Sequence, residues 1–231
     1  QEERHGIILA KNLHAKKYKI QTGETLDEAR IKCPQLLILP PDYRRYQRIT
    51  DQVKAIYREY TDRVEEYGLD EAWLDLTDSQ RLFGPAQQIA QTIQQRVYTE
   101  LGLTISIGLS FNKIFAKMAS DFQKPDKTHT LYQEEIPEKM WPLPVSALFT
   151  CGHSSAETLR KLGILTIGDL AKTDPVILES HLKSHGRSLW KYANGIDDSV
   201  VTLVPSKAKG IGNSTTLSSD ALTEDDARKV L

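Results

Sequence analysis

Apolar residues recur along this chain with two different periods, and the changes between them mark its elements. Ile49, Val53, Ile56 and Tyr60 stand three and four apart, which predicts a helix over residues 42–60. Ile89, Ile93, Val97 and Leu101 repeat that spacing after Gly84-Pro85. Proline favours a first helical turn, and Gly102 is placed to cap the C-terminus. Phe111, Ile114, Phe115, Met118, Ala119 and Phe122 form the apolar face of a third helix, with Lys113 and Lys117 on its other side. Between the last two helices Leu103, Ile105, Ile107 and Leu109 alternate, as a half-buried strand does. Short apolar runs at 6–10, 36–39 and 128–132 read as further strands. Residues 11–20 and 25–32 read as short helices, the second stopped by Cys33-Pro34.

One stretch breaks its own period. Up to Asp70 the apolar residues fall at odd positions, Tyr67 and Leu69; after Glu71 they fall at even ones, Ala72, Leu74 and Leu76. A strand keeps one parity per face, so this switch predicts a hairpin turning at Asp70-Glu71. Its tip then projects two adjacent carboxylates. Such a pair raises its own pKa values unless a cation neutralises it, and oxygen-only ligands suit Mg²⁺ or Mn²⁺. A plain polar hairpin tip is the other reading of the same residues.

Beyond the strand at 128–132, proline-rich residues 136–144 read as a linker into an all-helical region. There Ser154-Ser155-Ala156-Glu157 reads as a capping box, with Leu159 and Leu162 following and Gly163 ending the helix. Thr166 to Ala171 begins another helix, Asp174-Pro175 caps a third, and Gly186 precedes a last one carrying Trp190. Helical pairs joined by glycine turns can offer backbone amides to a phosphate. Lys207-Ala208-Lys209-Gly210 reads as a basic tether and 220–231 as a final helix. Strand, strand, helix, strand, helix, strand is close to a split βαβ layout lacking an initial strand and helix, so the class is α+β.

With 231 residues, 39% apolar and 26% charged, the chain has the composition of an ordinary soluble protein of one to three domains. It contains no run of about 18 apolar residues and so no membrane span. The charged start lacks the apolar core of a signal peptide, and Cys33 and Cys151 stand far apart, which places the chain in a reduced, cytoplasmic setting. A net charge of −1 decides nothing, but its distribution does. Lysines 11, 16, 17 and 19 form one basic group, lysines 113, 117, 124 and 127 a second, and Lys183, Arg187 and Lys191 a third. Residues 59–78 are acidic. Basic patches around an acidic centre suit a polyanion handled through metal ions.

Asp70-Glu71-Ala72-Trp73-Leu74-Asp75 resembles the palm signature of Y-family translesion DNA polymerases. So does Ile107 to Ser120, followed by Lys124-Pro125. Ala10-Lys11-Asn12 through Thr22-Gly23 resembles that family's fingers, and Leu162-Gly163-Ile164 with Thr166 to Leu170 resembles its helix-hairpin-helix thumb. The likeness is nearer to the bacterial mutagenesis and UV-damage-repair branch than to archaeal members. It implies a ferredoxin-like palm sheet with its first strand missing, small fingers and an all-helical thumb. The implied boundaries are fingers 1–40, palm 41–133, thumb 134–204, and tether with the start of a little finger 205–231.

The resemblance also implies roles. Asp70 and Glu71 are implied as the catalytic metal ligands, for Mg²⁺ or Mn²⁺. Lys124, with Lys16 from the fingers, is implied to reach the nucleoside triphosphate. Ser110, Asn112, Lys113 and Lys117 are placed near primer or nucleotide phosphates, and Gly152 and His153 on the duplex backbone. The implied partners are primer-template DNA, deoxynucleoside triphosphates and a sliding clamp, with no membrane.

Three departures stand against the family pattern. Another metal-ligand Asp on an initial strand is not found before Gln1, which predicts a defective chain as it stands. Leu13 and Lys16 replace a Tyr and an Arg, losing a planar bidentate grip. Thr150 stands where the thumb turn has glycine, and a β-branched residue resists positive φ. These departures keep open a polymerase-like, non-catalytic DNA-binding or regulatory module. A nucleotidyl cyclase would share the acidic hairpin but has no use for a helical duplex grip.

Overall fold

A computed structural model describes residues 6–203, 210–212, 217 and 220–228. They divide into two compact units, Gln1–Tyr43 with Ser206–Leu231, and Arg44–Pro205.

In the first unit α1 (Leu13–Lys17) is started by Asn12, whose side chain accepts from the Ala15 amide at 2.8 Å. It is shorter than the helix expected over 11–20, because Lys19 turns to φ +60. A full capping box between Thr25 and Glu28 starts α2 (Leu26–Lys32). Ile8, Ile20, Ala29 and Cys33 form a small core. The strand expected at 6–10 is instead one antiparallel bridge, Ile7 with Thr25, closed by the Ile8 amide donating to Glu24 O at 2.9 Å. The strand expected at 36–39 is not formed either. Leu37 is 81% and Leu39 75% exposed. Apolar residues alone do not make a strand without a partner ladder, and the flanking prolines cannot donate to one. Of the helix expected over 220–231, the described part is α11 (Glu224–Arg228). The tether at Lys207 to Lys209 lies outside the described residues.

The second unit opens with α3 (Tyr43–Arg58) and contains α5 (Ala86–Leu101), which pack through Ile56, Ile89, Ile93 and Val97. Gly102 caps α5 at φ +68, its amide donating to Tyr98 O. Between them lie the antiparallel pair β1 (Val64–Tyr67) and β2 (Glu71–Leu74), and the short α4 (Gln80–Phe83). β3 (Ile107–Leu109) pairs in parallel with β4 (Thr128–Thr130) through the crossover helix α6 (Lys113–Asp121). Only the last three residues of the alternating run 103–109 join a ladder, and β4 stops at 130.

The α+β class holds, but the palm sheet is not one continuous ladder: among the described residues there are two separate pairs, β1–β2 and β3–β4. β2 and β3 line a common cleft of about 500 Å³. α6 lies directly on β3. A Cβ added to Gly108 would sit 1.8 Å from Ala116 O, so only glycine permits this approach.

Residues 136–140, expected in a linker, form a single wide helical turn whose Ile136 and Met140 are buried. The helical region comprises α7 (His153–Lys161), α8 (Ile167–Lys172), α9 (Pro175–Leu182) and α10 (Ser184–Ala193). The capping box expected at Ser154 is not formed. α7 starts two residues earlier, with Gly152 at the cap and no side-chain bond, whereas Thr166 and Asp169 do form a box on α8. Gly186 lies inside α10, not before it; its Cβ would meet Leu178 O at 2.3 Å, so α9 and α10 touch backbone to backbone. Phe115 and Met118 of α6 share one core with Leu159, Leu170 and Leu189. Packing is therefore continuous across residue 133.

Candidate active site

The β1–β2 register pairs Tyr67 with Glu71, so the turn is Gly68-Leu69-Asp70, with Gly68 at φ +68. The turn sits slightly before the Asp70-Glu71 position that the parity switch indicates. The inward parity does not switch: with three residues in the turn Val64 pairs with Leu74, so both strands turn even positions inward, and Tyr67, at an odd position, is 45% exposed. Asp70 is the last residue of the turn and Glu71 the first of β2. The Tyr67 ring packs 4.8 Å from Trp73 and 6.0 Å from Phe149, which anchors the hairpin against the segment that leads into α7.

Asp70 is exposed and makes no hydrogen bond or ion pair among the described residues. Glu71 Oε1 lies 2.6 Å from Lys117 Nζ, which also lies 3.2 Å from Asp121; Asp121 in turn pairs with Lys124 at 2.6 Å. Charges thus alternate from the hairpin tip to Lys124. Asp70, Glu71, Lys117 and Lys124 all line the cleft between β2 and β3. Burial pulls the Lys117 ammonium down, but Glu71 and Asp121 outweigh it and hold it above the ordinary lysine value. Burial raises Asp121, and Lys124 with Lys117 more than offsets this, leaving it low. Asp75 is engaged elsewhere: the Thr77 hydroxyl and amide and the Arg63 guanidinium hold its carboxyl below the usual range.

Two neighbouring carboxylates, one unpaired, form a hard oxygen donor set of the kind Mg²⁺ and Mn²⁺ take with one or two protein carboxylates plus substrate phosphates. The residues present fit such an ion in kind. Among the described residues no third acidic, His or Cys side chain joins them.

The other residues singled out from the sequence fall in different places. Lys16 is exposed on α1, in the first unit. Ser110 donates its hydroxyl to Leu131 O, which holds the end of β4. Asn112 caps α6, accepting from the Phe115 amide at 2.9 Å. Lys113 is occupied: Nζ lies 2.8 Å from both oxygens of Glu65, 3.2 Å from Val200 O, and 4.9 Å from the centre of the Trp73 ring. The sequence assigns Glu65 no role of its own, because nothing local distinguishes one acid in an acidic run, and it shows Trp73 only as part of the Asp70 to Asp75 motif. Gly152 and His153 are exposed at the start of α7, whose first amides have no partner within the helix. Thr150 does adopt φ +70, the conformation its side chain resists. In the third basic group Arg187 pairs with Glu179 at 2.6 Å, so α9 supplies an acid that its own run lacks.

A profile of the impB/mucB/samB family matches residues 1–121, just over half of the chain. The chain belongs to that family. Over all of its 231 residues it is 44% identical to DNA polymerase IV of Clostridium acetobutylicum, covering 58% of that protein. It is 39% identical to DNA polymerase IV of Ralstonia nicotianae over 99% of this chain and 64% of that one. It therefore spans less than two thirds of the length of these curated relatives. Among solved structures, a Y-family DNA polymerase chimera of Dbh and Dpo4 aligns with a TM-score of 0.77 at 23% identity, over 86% of this chain and 58% of that one. DinB from Sulfolobus solfataricus aligns equally well, over 85% and 58%. The fold of this impB/mucB/samB chain is that of the Y-family polymerases. No helix among the described residues is long and apolar enough to cross a membrane.

Proposed function

We propose that the protein containing this chain is a translesion DNA polymerase, adding nucleotides to a primer opposite damaged template bases. The observation that carries this reading is the convergence of Asp70, Glu71, Lys117 and Lys124 on one cleft. The names of the relatives support it. Asp70 and Glu71 are the residues that would hold Mg²⁺ or Mn²⁺. Such an ion, when bound, supplies activation of a primer hydroxyl and screening of phosphate charge.

The chain's own side chains do the rest. Lys117 keeps Glu71 oriented toward the cleft while the site is free of substrate. Lys124, half exposed and held among the described residues by Asp121 alone, exchanges that partner for the triphosphate of a deoxynucleoside triphosphate; Lys16 is a second candidate for that role. The amides of the first turn of α7, from His153 on, hold the sugar–phosphate backbone of primer-template DNA without reading sequence. The Gly152 amide instead donates to Thr150 O at 3.0 Å and shapes the turn that presents them. Ser110, Asn112 and Lys113 are not assigned to phosphate here, because their polar atoms already serve the fold. A sliding clamp and a cytoplasmic location accompany this reading.

The test is primer extension on undamaged and abasic templates by the chain completed to the length of its relatives, beside Asp70→Ala and Glu71→Ala. Extension abolished in both variants is the expected result. Salt-sensitive duplex binding without extension in the unsubstituted protein would replace this reading with a non-catalytic DNA-binding module.

A further inference from the structure

α10 ends at Ala193, and the chain then runs back across the hairpin and the start of α6 as an irregular segment, Gly195–Thr202. Beyond Ile196, whose amide donates to Lys191 O at 2.9 Å, its backbone has no ladder partner among the described residues, so side chains hold it. Asn112 Nδ2 donates to Gly195 O at 3.1 Å while its Oδ1 caps α6. Lys113 Nζ donates to Val200 O at 3.2 Å, and the Thr202 amide donates to Glu65 Oε2 at 2.7 Å. Lys113 and Glu65 are themselves paired, with side chains only 15% and 21% exposed. The pair is backed by Trp73, whose ring lies under the ammonium and whose indole N–H donates to Lys113 O at 2.9 Å.

Each member of the pair thus makes one bond of the polarity that only it can make: the lysine donates to a carbonyl, the carboxylate accepts from an amide. A lone ion pair would need neither. Three residues spread over β1 and the start of α6 grip three points along eight residues of chain. Charge-assisted hydrogen bonds that are largely shielded from water are stronger than exposed ones.

We infer that Glu65, Lys113 and Asn112 are positioning residues that fasten Gly195–Thr202 as a strap, tying the outgoing end of the helical region to the hairpin that carries Asp70 and Glu71. The first helix of that region is tied to the same hairpin by the Tyr67–Phe149 ring contact. Strap and ring contact together fix the α7 amides relative to the two carboxylates. This consequence rests on the polymerase reading; the strap itself does not.

The test is amide hydrogen exchange at Thr202 in the protein without nucleotide or DNA. In the unsubstituted protein that amide is protected; in Glu65→Ala and Lys113→Met it exchanges about tenfold faster or more, while Phe115 and Met118 in α6 keep their rates. The double swap Glu65→Lys with Lys113→Glu restores the ion pair but reverses both strap bonds, so stability recovers and the Thr202 amide stays unprotected. Asn112→Ser keeps a capping oxygen on α6 and frees only the Gly195 end. A Thr202 amide exchanging at the free-chain rate in the unsubstituted protein, or one still protected in the swap, overturns the strap. Because no substrate is present, that result leaves the polymerase reading standing, and a failed primer extension leaves the strap standing.

Discussion

Lys117 Nζ lies 2.6 Å from Glu71 Oε1, so the cation nearest the hairpin tip is a side chain of the protein itself. A lysine there does for one carboxylate what a metal ion does for two, lowering the repulsion between Glu71 and Asp70. It also competes with the ion. Lys117→Met removes that competitor and is expected to tighten Mn²⁺ binding to the substrate-free protein about tenfold, equivalent to about 1.4 kcal/mol. Titration of Mn²⁺ followed by electron paramagnetic resonance measures this; unchanged or weaker affinity contradicts the competition.

Gly108 sits under α6 with no room for a side chain. Gly108→Ala places a methyl group 1.8 Å from Ala116 O and 2.5 Å from the Ser120 amide nitrogen, both backbone atoms that cannot move singly. Helix and strand must separate, at an expected cost of about 3 kcal/mol or more in urea unfolding. A loss below about 1 kcal/mol would mean that α6 lies further from β3 than described.

Thr150 carries strain that glycine would not. A β-branched residue at φ +70 costs roughly 1–2 kcal/mol, part of which glycine forfeits through its freer unfolded chain. Thr150→Gly is expected to raise stability by about 0.5–1 kcal/mol, and Thr150→Val to leave it unchanged or lower it. Denaturation midpoints decide.

Stability should fall at both ends of the pH scale, for different groups. Asp75 and Asp121 have folded pKa values below the ordinary carboxylate range, so their contribution is complete above about pH 4 and lost as pH falls through the lowered values. Lys117 is raised, so its contribution is complete below the ordinary lysine value of 10.5 and lost as pH rises through the folded one. Melting temperature against pH checks both. Asp75→Asn should flatten the acid limb, and Lys117→Met the alkaline one.

What the sequence reveals here follows the range of the forces involved. The stripes Ile56 and Ile89-Ile93-Val97 are legible because helical periodicity is written within one turn of the next residue. The hairpin is legible because the apolar pattern breaks locally at its turn, and so are its two carboxylates, although the pairing of Val64 with Leu74 keeps even positions inward on both strands. The run Leu36 to Leu39 misleads: it has strand composition, and no periodicity says that a partner is lacking. The capping reading at Ser154 misses by two residues because Gly152 fits the cap without a side chain. The pairing of Glu65 with Lys113 spans 48 positions, and that of Lys113 with Val200 spans 87. No spacing rule reaches so far, so Lys113 looks like a free cation aimed at phosphate until its partners are seen.

The most direct test of the central claim is Mn²⁺ binding in the presence of a deoxynucleoside triphosphate, compared among the unsubstituted chain, Asp70→Ala and Glu71→Ala. The account predicts one saturable class of ion that either substitution weakens at least about tenfold, a loss of about 1.4 kcal/mol, with the fold unchanged by circular dichroism. Equal Mn²⁺ affinity in all three proteins would contradict it, leaving Asp70 and Glu71 as a polar hairpin tip.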